Sequence, residues 1–295
     1  MKLTTIYWNE GETACLVAPE GYIPLPLLRP SIPFDSTFAL GDMLKNNHFD
    51  GMMEWFSREG KKMMDTGMFD HHAIPSQTVE YAPLYRNPSK IICIGLNFSV
   101  HAEELMAVQP DRYPGSFMKP DTTIIGHGDY IRIPALSRKT TAEAELGVII
   151  GRKCRHVKPG QWRDVVAGFT PVLDMTAEDI LKMNVRYLTA SKSFDTFFSF
   201  GPLFVSKDEV PTIDALEIGT VRNGKVVASA RVTDMKFPPP DIISFLSDVM
   251  TLMPGDIIAT GTPGATDIAE GDVIECRITG LTPLINRVID IKKGA

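Results

Sequence analysis

The sequence is poor in the features that mark several classes of protein. Its 295 residues include only four cysteines, and no two of them form a C-x-x-C pair: Cys15, Cys93, Cys154 and Cys276. Scattered thiols favour a reduced, cytoplasmic protein over a disulfide framework or a zinc site. No apolar run approaches the roughly 20 residues of a membrane-spanning helix, so we expect no membrane partner. The polar start, MKLTTIYWNEGETAC, is also unlike a signal peptide.

Clusters of basic residues are absent as well. The chain carries 30 Lys and Arg against 36 Asp and Glu, a formal net charge of -6. This balance argues against nucleic acid as a partner. No G-x-G-x-x-G follows a strand-like run, which excludes a dinucleotide-binding domain of the Rossmann type.

Short β-rich runs, bounded by Gly, Pro, Asn and Asp, are what the chain has in abundance from Lys90 onward. Examples are KIICIGLN, AELGVIIG, GDIIATGT and GDVIECRITG. The Asn-Gly pair in VRNGKVV predicts a hairpin. Helical patterns are few: one after Asn97, one after Thr176, and PPPDIISFLSDVMTL, which prolines open. The sequence therefore predicts a mainly β fold with inserted helices, of the α+β class.

The first part of the chain has a different texture. The strand-like runs LTTIYW and TACLVA precede a Met-rich helical stretch, GMMEWFSREGKKMMDTG, and then a Pro-rich segment. We predict a small N-terminal α/β domain and linker over residues 1–85, and the main domain over residues 86–295.

Two acidic residues stand where acids are unexpected. Glu143 and Glu145 lie two apart at the start of the apolar run LGVII, so on a strand both carboxylates would leave the same face. A third acid, Asp174, ends the apolar run FTPVL, just before a helix that Thr176 and Asp179 would cap. A divalent cation would replace the repulsion among three carboxylates with shared coordination, and oxygen ligands favour Mg²⁺ first, then Mn²⁺ or Ca²⁺. The alternative is a solvated edge strand with a helix-start charge.

The stretch from Lys90 to Val288 resembles the fumarylacetoacetate hydrolase superfamily, especially its acylpyruvate-hydrolase-like branch. The matching blocks include IICIGLNFSVHAEE, EAELGVIIGRKC, GFTPVLDMTAED, SKSFDTFFSFGPLFV and LMPGDIIATGTPGA, in family order. The resemblance implies the family's mixed β-sandwich roll, homodimers, and Mg²⁺ or Mn²⁺ held by Glu143, Glu145 and Asp174.

The resemblance also assigns roles in catalysis. Lys192 matches the family's active-site lysine, and a positive charge suits an anionic 2-oxo acid. His101 and Glu104 match a dyad on a lid, where a His held by a carboxylate can activate water. Thr262 would bind the substrate carboxylate. Lys119 lies in a family block as well, but packing explains it equally well.

The expected activity is metal-dependent hydrolysis of a C–C bond in a 2,4-dioxo acid, of the acylpyruvate or 2,4-diketo-3-deoxy sugar acid type. Glu178 stands where the family often has an arginine that holds the substrate. Either its side chain turns outward or the far end of the substrate carries hydroxyls. The alternatives are decarboxylation of oxaloacetate-like acids and isomerisation of 2-hydroxy-dienedioic acids on the same site. A ligand-binding homologue without turnover is a further alternative.

Overall fold

The computed structural model describes residues 1–29, 31–32, 38–99 and 109–293. Within those ranges the strands are β1 Lys2–Trp8, β2 Gly11–Ala18, β3 Gly21–Pro24, β4 Ile91–Gly95, β5 Gly115–Lys119, β6 Ile124–Ile125, β7 Tyr130–Ile133, β8 Thr140–Ile150, β9 Val166–Ala177, β10 Phe198–Phe200, β11 Leu203–Ser206, β12 Glu217–Arg222, β13 Lys225–Arg231, β14 Ile257–Ala259, β15 Ala265–Asp267, β16 Val273–Ile278 and β17 Leu284–Asp290. The α-helices are short: α1 Leu40–Lys45, α2 His48–Trp55, α3 Lys61–Asp65, α4 Trp162–Val165, α5 Glu178–Met183, α6 Leu188–Lys192 and α7 Pro239–Val249.

Two sheets form the framework. The first runs in the order β3-β2-β1-β11-β9-β8-β14-β4-β5, with β10 also paired to β9, β15 to β8 and β6 to β10. The second runs β13-β12-β16-β17-β7. Most neighbours are antiparallel, but β14 with β4, β17 with β7 and β10 with β6 are parallel. The prediction of a mainly β fold with inserted helices is therefore confirmed.

The long strands β8 and β9 are buried on both faces because each face meets a different core. Alternate residues of β8, from Ala142 to Val148, belong to the core shared with second-sheet residues such as Ile218 and Ile274. The opposite face of this strand pair points away from the second sheet, and its residues, such as Ile149, belong to a second core. Residues on that opposite face carry the candidate site.

The N-terminal strands extend the first sheet, because β1 pairs with both β2 and β11. Their apolar residues and those of α1 and α2, including Leu16, Met43 and Trp55, share the second core with Phe198 and Phe204. Burying a side chain of this size contributes about 1.5–3 kcal/mol. The boundary near residue 85 stays a prediction.

Local signals in the sequence had mixed outcomes. The predicted hairpin is confirmed, since β12 and β13 pair across Asn223 and Gly224, both with positive φ. Prolines open α7, as expected. The predicted cap at Thr176 is wrong: β9 continues to Ala177, which is the N-cap of α5 and makes no side-chain cap. The helix expected after Asn97 falls largely outside the described residues. In the part of the chain that the structure describes, no helix is both long and apolar enough to cross a membrane.

Candidate metal centre

The pairing of β8 with β9 brings three carboxylates together. Glu143 lies directly opposite Asp174 in the antiparallel register, and Glu145 follows two residues further along the same face. One carboxylate oxygen from each residue lies within 4.8 Å of the other two. Asp174 stands inside β9, and not at a strand end as the sequence suggested, because the strand runs three residues further. The edge-strand alternative does not fit, since β8 has neighbours on both sides.

The donor set and its spacing fit a hard divalent ion. Mg²⁺ and Ca²⁺ bind oxygen at about 2.0–2.6 Å, so two ligands of one ion lie at most about 5 Å apart. The exposed fractions are 9% for Glu143, 1% for Glu145 and 0% for Asp174. Three buried acids repel one another and resist desolvation unless positive charge compensates them. The residues present could therefore hold such an ion.

Two lysines supply positive charge beside the three carboxylates. Lys192, at the end of α6, places its Nζ 2.8 Å from Asp174 Oδ2 and 3.1 Å from Glu143 Oε2. Lys119, at the end of β5, donates to Asp174 Oδ1 and, at 3.0 Å, to the carbonyl of Met175. Both lysines are buried, with 4% of each residue exposed. Asp174 is thus held through both oxygens.

Burial and these contacts shift the pKa values of the clustered groups in different directions. Burial raises the pKa of Glu145 well above its usual range, and the charges of Asp174 and Glu143 add to that effect. Burial acts in the same direction on Asp174, but Lys119 and Lys192 outweigh it and lower the pKa of that carboxyl. Burial also opposes the charge on Lys192, yet Asp174 and Glu143 raise its pKa. Lys119 has a lowered pKa, first because it is buried and then because Lys192 is near.

Neighbouring groups orient the two glutamates. The hydroxyl of Thr176 donates to Glu143 Oε1 at 3.1 Å, and the backbone N–H of Gly261 donates to Glu145 Oε2 at 2.6 Å. Gly261 has φ +94°, and a Cβ there would lie 2.8 Å from the Cβ of Asn97. Only glycine suits this position, where the loop approaches both Glu145 and Asn97.

The other predicted residues are placed differently. Thr262 is 3% exposed, and its hydroxyl is used within its own loop, 3.0 Å from the carbonyl of Gly264. Its expected contact with substrate stays a prediction. His101 and Glu104 lie outside the described residues.

Glu178 belongs to a separate group of ion pairs. Its carboxylate oxygens lie 2.6 Å from Nζ of Lys139 and 2.6 Å from Nζ of Lys182. Burial would raise the pKa of this carboxyl, but the two lysines lower it. The ionised carboxylate is therefore compensated, and its charge does not act alone on a nearby anion.

Lys119 is the residue that the sequence argument undervalued. The signal was present: a lysine ends the strand GSFMK, and a lysine that is buried at such a position needs a charged partner. Sequence spacing could not show the partner, because Lys119 and Asp174 are 55 residues apart.

Comparison with known proteins agrees with this architecture. A family model described as fumarylacetoacetate (FAA) hydrolase C-terminal matches residues 90–289. An uncharacterized protein of Methanocaldococcus jannaschii is 41% identical over 204 residues, which are 69% of this chain and 84% of that protein. The mitochondrial oxaloacetate tautomerase Fahd2a of Rattus norvegicus is 36% identical over 222 residues, covering 72% of this chain and 70% of that protein.

Similarity to a crystal structure extends over nearly the whole chain. Maleylpyruvate hydrolase from Sphingobium sp. SYK-6, in complex with manganese(II) and pyruvate, superposes with a TM-score of 0.74 at 26% identity. The match covers 98% of this chain and 99% of that protein. It includes the N-terminal strands and helices, which the family model leaves out.

Proposed function

The chain belongs to the fumarylacetoacetate hydrolase family, and from that premise we propose that it is a divalent-metal-dependent enzyme that acts on 2-oxo acids. The observation that carries the proposal is the buried group of Glu143, Glu145 and Asp174, whose oxygens lie within 4.8 Å of one another. The manganese(II) and pyruvate in the Sphingobium hydrolase support the same combination of ion and substrate class. We propose Mg²⁺ or Mn²⁺ as the ion, with Ca²⁺ as a further possibility for oxygen ligands.

The residues around the carboxylates suit an anionic substrate. A bound divalent ion would polarise a 2-oxo group and stabilise the negative charge that develops when a neighbouring bond breaks. Lys192 would neutralise part of that charge, because its side chain is the more exposed of the two, at 6% against 0% for Lys119. Thr262 would bind the carboxylate of the substrate after its hydroxyl turns away from Gly264.

We propose hydrolysis of a C–C bond in a 2,4-dioxo acid as the reaction. The sequence supplies His101 and Glu104 three residues apart, and their family role is to remove a proton from water. The resulting hydroxide would attack the 4-carbonyl, and cleavage between C3 and C4 would leave a pyruvate-type enolate. The name of the Sphingobium protein, a maleylpyruvate hydrolase, supports this reaction class.

Tautomerisation of oxaloacetate is the second candidate. The relative that favours it is the rat tautomerase, which at 36% identity is closer in sequence than the Sphingobium hydrolase at 26%. Tautomerisation, decarboxylation and hydrolysis share an enolate, so the carboxylates and Lys192 would serve each of them. Isomerisation of 2-hydroxy-dienedioic acids would use the same carboxylates and Lys192.

A product assay separates these reactions. The purified protein, with Mn²⁺ or with EDTA, is given an acylpyruvate, a polyhydroxylated 2,4-dioxo acid and oxaloacetate. We expect one pyruvate-type product per 2,4-dioxo acid consumed, and no product with EDTA. Enol–keto exchange of oxaloacetate without C–C cleavage of any substrate would overturn hydrolysis in favour of tautomerisation. No turnover of any substrate with Mn²⁺ would overturn the enzymatic proposal and leave a ligand-binding homologue.

We also propose that the protein forms a homodimer in the cytoplasm. Light scattering on the purified chain, of 32.6 kDa, tests the first part, since a monomeric mass at micromolar concentration would contradict it.

A further inference from the structure

The ammonium group of Lys192 lies between two of the three carboxylates. It contacts Asp174 Oδ2 at 2.8 Å and Glu143 Oε2 at 3.1 Å. The remaining oxygens of these two acids are used on other sides: Asp174 Oδ1 by Lys119, and Glu143 Oε1 by the hydroxyl of Thr176. The ammonium thus bridges the two acids through one oxygen of each.

We propose that Lys192 is an internal competitor of the divalent ion. The ion displaces the ammonium from Glu143 and Asp174, and the released ammonium then binds the carboxylate of the incoming acid. The proposed displacement of Lys192 is based on its contacts with Glu143 and Asp174, whereas the identity of the incoming acid rests on the proposed function. The exchange replaces two hydrogen bonds of Lys192 with coordination of the ion; no covalent bond is made or broken, and Lys192 remains protonated throughout.

The two lysines differ in their freedom to move. The Lys119 side chain is 0% exposed and is tied to both Asp174 and the carbonyl of Met175. The Lys192 side chain is 6% exposed and ends a helix of five residues. Its Nζ already lies 4.8 Å from the centre of the half-buried Phe117 ring, whose face attracts an ammonium group. The ring next to Lys119 is further from its Nζ, at 5.8 Å, and is fully buried. Lys192 is therefore the lysine that can leave.

Lys119 limits the electrostatic cost of moving Lys192 away from Asp174. When Lys192 moves away, Asp174 keeps the ion pair with Lys119. Glu143 loses its lysine partner, and the incoming ion replaces that positive charge, so neither carboxylate is left uncompensated. Binding then has an order: the ion enters first, and the organic acid follows. Without the ion, Lys192 is engaged by Glu143 and Asp174 and offers little to an anion.

Equilibrium binding of Mn²⁺ tests the competition. We expect Lys192→Met to lower the Kd for Mn²⁺ by about tenfold or more, as expected when a charge-assisted hydrogen bond that competes with the ion is removed. Lys119→Met is the matched control, because it also removes one buried positive charge next to Asp174 but contacts the other oxygen. We expect a clearly smaller change in Kd for this variant. Equal tightening in both variants would mean that charge alone acts, and would overturn the proposal.

A crystal structure of the wild-type protein with Mn²⁺ alone provides a second readout and does not depend on the folding of any variant. We expect the distance from Lys192 Nζ to both carboxylates to exceed hydrogen-bonding range. Contact with both Glu143 and Asp174 beside a bound Mn²⁺ would overturn the proposal.

Binding of pyruvate, measured by calorimetry, tests the order of addition. We expect wild-type protein to bind pyruvate with Mn²⁺ and to show at least about tenfold weaker binding without it. Equal affinity with and without Mn²⁺ would overturn the ordered sequence. If no 2-oxo acid is turned over, the proposed function fails, but the Mn²⁺ affinities and the crystal structure still decide the displacement of Lys192.

Discussion

Removal of the Lys119 ammonium is the sharpest stability test of the buried charge cluster. The Lys119→Met variant keeps a side chain of similar length at the buried end of strand β5 but removes its positive charge. It leaves Asp174 with Lys192 as its remaining lysine partner, and the carbonyl of Met175 loses the hydrogen bond that Lys119 donates. Both lost contacts are buried, because the side chains of Lys119 and Asp174 are each 0% exposed.

The expected loss of stability is large. Removing one partner of a buried ion pair typically destabilises a protein by about 3–5 kcal/mol. Asp174 retains Lys192, which reduces the loss, while the unpaired Met175 carbonyl adds about 1–3 kcal/mol. We therefore expect the free energy of unfolding of the metal-free protein to fall by about 3–5 kcal/mol.

Urea denaturation in EDTA, followed by circular dichroism, measures this change. Lys182→Met is the control: it also breaks a lysine–carboxylate pair, with Glu178, but the Lys182 side chain is 61% exposed, so the loss should stay below about 1 kcal/mol. The double variant Lys119→Met/Asp174→Asn should regain part of the stability, because it removes the undercompensated charge. A loss below about 1 kcal/mol for Lys119→Met, equal to the control, would refute the reasoning.

Three further predictions concern single residues. Gly261→Ala should destabilise the protein by about 1–3 kcal/mol more than Gly280→Ala in urea denaturation. Both residues have positive φ, but a Cβ added at Gly261 meets other atoms within 4 Å, whereas one added at Gly280 meets none. Equal losses would contradict this. Burial would raise the pKa of Asp272, but Asn223, the backbone of Ala269 and Arg222 lower it. As the pH drops from about 5 to about 2, the stability of wild-type protein should therefore fall relative to that of Asp272→Asn. Parallel pH profiles would refute that assignment. His101→Asn should lower kcat for the 2,4-dioxo acid by about 10²–10⁴-fold with an unchanged Kd for Mn²⁺; a variant with normal kcat would remove His101 from the mechanism.

The shared face of Glu143 and Glu145 could be inferred from sequence because one rule governs it. Strand alternation places Glu143 and Glu145 on one face, and the structure has both on the face of β8 opposite the second sheet. The meeting of Asp174 with Glu143 is a matter of register between two strands, which alternation does not determine. The family resemblance is what predicts that meeting.

The contacts that sequence reasoning missed are those between distant segments. The end of β9 was misjudged because Thr176 and Asp179 resemble a helix cap, whereas Thr176 donates to Glu143 and Asp179 accepts from Ser137. A local pattern cannot show that a distant carboxylate competes for the same hydroxyl. Similarly, the N-terminal strands were recognised from their composition, but their pairing with β11 depends on residues some 200 positions away.

The central claim is that Glu143, Glu145 and Asp174 together bind one divalent ion. The most direct test is equilibrium binding of Mn²⁺, followed by the electron paramagnetic resonance signal of the free ion, for the wild-type protein and for Glu145→Gln. Glu275→Gln is the control, because Glu275 is a buried acid of the second sheet, with 8% exposed, and pairs with Arg277. We predict one Mn²⁺ per chain for wild type and Glu275→Gln, and a Kd for Mn²⁺ at least about 100-fold weaker for Glu145→Gln. Equal affinity and stoichiometry in all three proteins would contradict it.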